Sequence, residues 1–241
     1  MSYIKPDLEY IIKKLDKQPN VRSIPMNELR KMSEEHAVFT EFGNCNWSTS
    51  VRNRSAALTV LIGDDEVKTP KPTQRQQEIL ANVNKTLESV MHYLKKGPFV
   101  KVQRIMGQND VFTPRCMLYC SIHRPDNVRL PYMWGNTLFP WDENAKGPDL
   151  LMINIPEWQE KDRQVLVWPN EGISIVLGSD YYGEVKKGFL RMAMWKAKEA
   201  GMLGLHAGSK IIRARQPDGR LATYGMILFG LTATGKTTHT C

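Results

Sequence analysis

Residues 230–238 run Gly-Leu-Thr-Ala-Thr-Gly-Lys-Thr-Thr, which fits the phosphate-binding pattern of glycine, four residues, then Gly-Lys-Thr. No other stretch restricts the fold as much, because such a loop works only between a strand that delivers it and a helix that it opens. The strand is legible: residues 222–229 are mostly apolar and run directly into Gly230. In a loop of this kind Gly230 and Gly235 let backbone N–H groups wrap an anion. Lys236 brings a point charge to the outer phosphates, and Thr237 brings a hydroxyl to a divalent metal.

The rest of the chain has the makings of a globular body. Of its 241 residues 41% are hydrophobic and 24% charged, enough apolar material for a sizeable core. There is no run of eighteen apolar residues to span a membrane, and the N-terminal residues lack the apolar stretch of a secretory signal. Cys45, Cys116, Cys120 and Cys241 fit no zinc spacing; Cys116 and Cys120 alternate with apolar residues as core thiols do. A reducing, cytoplasmic setting is the expectation. The net charge of +8 favours anionic ligands, and no nucleic-acid-binding motif accompanies it.

Periodicity divides the body into elements. Helices are expected over residues 7–16 and 25–36, the first with Leu8, Ile11, Ile12 and Leu15 as its apolar stripe. A strand is expected over 56–62. One long helix is expected over 73–96, opened by a Thr73/Gln76 capping box and closed by Gly97-Pro98. Strands follow at 99–105, 115–122, 150–155, 164–168 and 173–177, with an aromatic-rich helix at 131–139 between them. Strands at 210–215 and 221–229 form a hairpin across Pro217-Asp218-Gly219. No internal repeat, low-complexity segment or Gly/Pro-rich linker interrupts this pattern.

Three places could carry chemistry. Residues 179–188, Ser-Asp-Tyr-Tyr-Gly-Glu-Val-Lys-Lys-Gly, leave a strand and open a helix to about residue 200. Glu184 suits the helix N-terminus; the adjacent cations Lys186 and Lys187 do not, so they either reach water or meet an anion or metal. His206 lies in a small-residue turn, where a lone histidine is more often a satisfied structural group than a ligand. Arg52 and Arg54 stand just before a buried strand, where an arginine is more often a plain surface charge but where its guanidinium fork could also grip a carboxylate.

The order of Tyr181-Tyr182-Gly183-Glu184-Val185-Lys186-Lys187-Gly188, then His206 nineteen residues after Lys187, then Gly230–Thr238, resembles ATP-dependent phosphoenolpyruvate carboxykinase. That family carries Y-x-G-E-x-K-K-G, a histidine at this interval and a G-L-S-G-T-G-K-T-T loop. Asn53-Arg54-Ser55-Ala56 resembles its G-R-S-P, and residues 150–155 and 173–178 its N-terminal-domain strands. The chain departs from the family at Thr232 and Ala233 in the loop, at Ala56-Ala57-Leu58, and at Ala207-Gly208 after the histidine.

The resemblance implies conversion of oxaloacetate and ATP to phosphoenolpyruvate, CO2 and ADP, in gluconeogenesis. It implies substrate binding by Arg54, Tyr181 and Lys187, and a manganese ion held by Lys187 and His206. It further implies nucleotide contacts from Lys187, His206, Gly230, Leu231, Thr232, Ala233, Thr234, Gly235, Lys236, Thr237 and Thr238, and magnesium at Thr237. Lys187, His206 and Lys236 would be the catalytic groups. A ligating lysine must be neutral, which the metal charge and the neighbouring ammonium of Lys186 both favour.

The fold implied is α/β. A carboxykinase-type N-terminal substrate domain over residues 1–210, with a mixed sheet and flanking helices, leads into a mononucleotide-binding domain that begins at 211–241. The family continues past this loop with a metal-binding acidic segment, a further substrate arginine and an adenine pocket. The expectation is therefore that these residues are a fragment, inactive alone, with the remainder of the nucleotide domain missing. Two other readings are a kinase or ATPase sharing only the loop, and a non-catalytic anion-binding module. The first of these does not explain the Lys187/His206 interval. Small molecules are the expected partners, with neither nucleic acid nor membrane.

Overall fold

The computed structural model describes residues 6–52, 55–230 and 235–240, leaving aside the side chains of Glu160 and Thr237. The chain divides into two compact units, Met1–Ala200 and Gly201–Cys241.

The first unit is a sheet covered by helices on both faces. Its elements in order are α1 (Leu8–Leu15), β1 (Val21–Ser23), α2 (Met26–Glu34), β2 (Val38–Phe39), β3 (Cys45–Asn46), β4 (Thr59–Leu61), α3 (Gln74–Ala81) and α4 (Val83–Leu94). Then come β5 (Phe99–Ile105), β6 (Arg115–Ser121), α5 (Arg129–Gly135), β7 (Phe139–Pro140), β8 (Asp149–Ile155), β9 (Gln164–Trp168), β10 (Ile173–Leu177) and α6 (Tyr182–Glu199). The main sheet runs β1-β5-β6-β8-β10-β9-β4, with β7 added against β5. It is mixed: β6, β8 and β10 are mutually parallel, whereas β5–β6 and β10–β9 pair antiparallel.

Strand alternation sorts the core into two layers. Met117, Tyr119, Leu151, Ile153, Ile155, Ile173, Ile175 and Leu177 face α1, α3 and α4, where they meet Ile11, Leu15, Ile79, Val83, Leu87, Val90 and Leu94. The alternate residues Cys116, Leu118, Cys120, Leu150, Met152 and Val176 face α2, α5 and α6, against Leu29, Leu130, Trp134, Val185, Phe189 and Met192. A sheet buried on both faces explains why these strands are near-continuous apolar runs. Both core cysteines are buried as free thiols, and burial raises their pKa well above the usual thiol range.

Two features bring α6 close to the sheet. A Cβ on Gly188 would meet the end of the Met152 side chain, so the helix and β8 are in close contact at this glycine. One layer away Trp134 of α5 stacks on Phe189 of α6, ring centroids 4.6 Å apart. Aromatic pairs of this kind add to what burial alone contributes.

Several local expectations are revised. The helix expected over 73–96 is two helices, α3 and α4, broken at Asn82, whose φ of −104° and ψ of 5° leave the helical region. The Asn82 side-chain amide donates to the Glu78 carbonyl (2.8 Å), the local competition with the backbone that makes asparagine a poor interior helix residue. Thr73 does open α3 with a reciprocal capping box: Gln76 N–H donates to Thr73 Oγ1 and Thr73 N–H to Gln76 Oε1. The strand expected over 56–62 starts as a 3-10 turn (Ala56–Leu58) before β4. The helix expected at 131–139 lies earlier, over Arg129–Gly135. No helix among the described residues is long and apolar enough to cross a membrane.

The second unit is a hairpin with a helix against it. Strands β11 (Ala207–Arg215) and β12 (Leu221–Phe229) pair in full antiparallel register, and α7 (Lys236–Thr240) follows. Here a Cβ on Gly208 of β11 would meet the Thr240 side chain, so this helix too sits close to its sheet. The hairpin turn has Gly219 at φ 85°, the left-handed region that favours glycine. Asp218 holds the turn by accepting from the Arg220 backbone and guanidinium.

Candidate active site

In the first unit the candidate residues gather where β10 ends and α6 begins. Leu177 closes β10, and Gly178 at φ 72° turns the chain. Tyr181 is the N-cap of α6, with extended backbone (φ −77°, ψ 113°). The C-terminal ends of the parallel strands β8 and β10 lie at this point, the side of a sheet at which α/β folds commonly bind ligands. Gly183 leaves room for the Tyr181 ring, since a Cβ there would meet the ring carbons and hydroxyl. The phenol is thereby held over the first turn of the helix.

The paired lysines are in the helix proper, not in a preceding loop. Lys186 is exposed and its Nζ lies over the Tyr182 ring, 6.0 Å from the centroid. Lys187 is half-buried. An open groove of about 530 Å³ lies alongside, lined by Arg30, Trp47, Tyr132, Asn136, Tyr182 and Lys186 among others.

Two acids at this helix end are inward-facing. Asp180 is buried, and its carboxylate is saturated from a segment 130 residues earlier in the chain. Oδ1 accepts from Thr49 Oγ1 (3.0 Å) and Val51 N–H (2.9 Å). Oδ2 accepts from Ser50 N–H (2.8 Å), Ser50 Oγ (2.9 Å) and Arg129 Nη2 (2.8 Å). Burial pushes the Asp180 pKa up, but the Ser50 and Val51 amides and the Ser50 and Thr49 hydroxyls outweigh it and hold the group at about 2. Glu184, fully buried, accepts the Ser55 N–H at 2.8 Å and faces Arg191 at 3.7 Å. Sequence reasoning placed Glu184 only as a charge suited to the helix end and passed over Asp180 altogether. Nothing local marks a side chain whose partners lie 130 positions away.

Arg52 is exposed on the segment these acids hold. Arg54 lies outside the described residues, as do Leu231, Thr232, Ala233 and Thr234 of the expected phosphate loop. The Thr237 side chain is likewise outside them.

In the second unit the hairpin register brings two candidates to one end. Ala207 pairs with Phe229, so exposed His206, just before β11, and Gly230, just after β12, leave the hairpin at the same edge. Lys236, on the first turn of α7, donates from Nζ to the Gly230 carbonyl at 2.7 Å and so spans the two ends of the loop. Gly235 precedes it at φ 82°.

Among the described residues no group of three or more His, Cys, Asp and Glu side chains is placed to hold a metal. The donors named by the resemblance are of another kind, an amine and an imidazole, and nitrogen donors suit a first-row transition metal better than calcium or magnesium. Of the two lysines the half-buried one is Lys187, the order a ligating amine requires.

The class these observations define is an α/β body with its candidate residues at the strand ends and the head of a helix, joined in sequence to a hairpin followed by a short helix. Comparison with known proteins is more specific. A family model described as phosphoenolpyruvate carboxykinase matches residues 16–241. The chain is also 30% identical over 217 residues, 90% of its length, to phosphoenolpyruvate carboxykinase (ATP) of Aeropyrum pernix. It spans about 40% of that relative's length. The chain belongs to the ATP-dependent phosphoenolpyruvate carboxykinase family.

Proposed function

We propose that the chain serves the conversion of oxaloacetate and ATP to phosphoenolpyruvate, CO2 and ADP, in a cytoplasmic, gluconeogenic role. The supporting observation is the head of α6. It carries a phenol at the N-cap and a half-buried lysine within two turns, at the strand ends of a body whose family is a carboxykinase.

In this reading residues 1–210 bind the substrate and 211–241 begin the mononucleotide-binding domain. Arg54 and Tyr181 hold the oxaloacetate carboxylate. The bond to the leaving carboxylate breaks to release CO2, its electron pair becomes the enolate, and the enolate oxygen takes the γ-phosphoryl group as the bond to ADP breaks. Cations that meet the developing charge do most of such work. Lys236 and the backbone of 230–238 hold the phosphates in line, with Thr237 and Thr238 following. Lys187 and His206 would hold a manganese ion and Thr237 a magnesium ion, and such ions would supply positive charge against the developing negative charge.

The test is oxaloacetate- and ATP-dependent phosphoenolpyruvate formation by the full-length enzyme. Its loss in Lys187→Ala and His206→Ala supports the reading. ATP hydrolysis indifferent to both changes would instead mean an ATPase that shares only the loop. We also propose that the 241 residues alone do not turn over. In support, Ile211, Tyr224, Met226, Ile227 and Phe229 of the hairpin are exposed, leaving that unit short of a packed apolar layer. Assaying the 241-residue chain beside the full-length enzyme checks this.

A further inference from the structure

Asp180 and Glu184 sit four residues apart at the head of α6; Asp180 gives both carboxylate oxygens, and Glu184 its Oε2, to one distant segment. Asp180 takes the amides of Ser50 and Val51 and the hydroxyls of Thr49 and Ser50; Glu184 takes the amide of Ser55. Each has a counter-cation from the body of the unit, Arg129 at 2.8 Å for Asp180 and Arg191 at 3.7 Å for Glu184. Burying two carboxylates is costly unless their hydrogen bonds are satisfied and the arrangement is needed. What it achieves here is anchorage. The chain is held at residues 49–51 and again at Ser55, with three positions between the two anchors. Those three positions hold Arg52 and Arg54.

The geometry points to Asp180 and Glu184 as positioning residues for substrate binding: they clamp residues 49–51 and Ser55, the anchors on either side of the two arginines, to the N-terminal end of α6. The clamp thereby fixes both anchors relative to Tyr181, next to the arginine that in the carboxykinase reading grips the substrate carboxylate. The acids do not touch substrate; they act through the backbone amides of Ser50, Val51 and Ser55 and the hydroxyls of Thr49 and Ser50. The inference rests on the carboxykinase reading, which supplies the carboxylate substrate.

The test uses full-length enzyme and compares KM for oxaloacetate with KM for ATP. Asp180→Asn, which turns an acceptor oxygen into a donor facing amides, is expected to raise KM for oxaloacetate roughly tenfold while KM for ATP stays within about twofold. Because Asp180→Asn also strips Arg129 of its partner and could impair folding, Thr49→Val provides a milder variant. It keeps shape, loses only the hydroxyl, and is expected to raise the oxaloacetate KM about threefold, with Thr49→Ser restoring it. If both KM values move together, or if only the thermal midpoint falls while both KM values hold, the acids are merely structural and the inference is overturned. Unmutated full-length enzyme that forms no phosphoenolpyruvate would defeat the carboxykinase reading itself, and this inference with it, an outcome distinguishable before any variant is made.

Discussion

Strands β8 and β12 are nearly interchangeable as strings of residues. The first contains Leu-Leu-Met-Ile-Asn-Ile and the second Met-Ile-Leu-Phe, yet Leu150–Ile155 are all buried whereas Met226, Ile227 and Phe229 are exposed. β8 has parallel neighbours on both sides and helices over both faces. Among the described residues β12 has one strand partner, β11, and one short helix. Apolar content states what a strand requires of its surroundings; the topology decides whether the surroundings supply it. Stability is therefore concentrated in the first unit, while much of the candidate chemistry stands on the second, where the exposed strand has little to lose.

The largest expected effect tests whether both regions serve one reaction. In full-length enzyme, Lys187→Ala in the first region and His206→Ala in the second should each lower kcat/KM for phosphoenolpyruvate formation by on the order of a thousandfold. A large loss in one alone would break the pairing. Next comes the packing contrast. Phe189→Ala, removing a fully buried ring stacked on Trp134, should cost about 3–5 kcal/mol in urea unfolding.

A third effect is pH-dependent. Asp180 has its pKa depressed from 3.8 to about 2 in the folded chain, so its stabilisation is complete above about pH 4 and is lost as the pH falls through about 2. The shift corresponds to about 2 kcal/mol. The stability gap between the wild type and Asp180→Asn should therefore shrink by about that amount in urea titrations from pH 5 to pH 2; a constant gap would contradict the depressed pKa. Thr73→Ala, which removes the α3 capping box, should cost about 1 kcal/mol by the same measurement. The smallest effect falls on β12: Ile227→Ala should change stability by less than about 0.5 kcal/mol. A cost approaching that of Phe189→Ala would erase the contrast between the two regions.

Much of this architecture was legible beforehand. β5, β6, β8, β9 and β10, the helix after residue 181 and the hairpin strands follow from apolar runs and turn residues, because these signals are local. The break at Asn82 was not, since Val83, Leu87 and Leu94 keep their apolar stripe through it and only the asparagine amide gives it away. β1, three residues long, is a strand by virtue of pairing with β5 and has no pattern of its own. At the candidate site, Tyr181, Lys187 and His206 could be named from motif spacing. Asp180 could not, because its meaning lies in Thr49, Ser50 and Val51, and no interval in the chain announces that meeting.

The hairpin of the second unit has a consequence for engineering and for natural variation alike. Nine residue pairs, from Ala207–Phe229 to Arg215–Leu221, are counted off from the Pro217-Asp218-Gly219 turn. Inserting or deleting a single residue at that turn would slide one strand by about 3.4 Å against the other and reverse which way its side chains face. His206 and Gly230 would then leave the hairpin out of step, although every residue near them was untouched. The tip, some nine residues away and bearing no chemistry, sets the spacing at the functional end as the pivot of a pair of tongs sets the gap between its jaws.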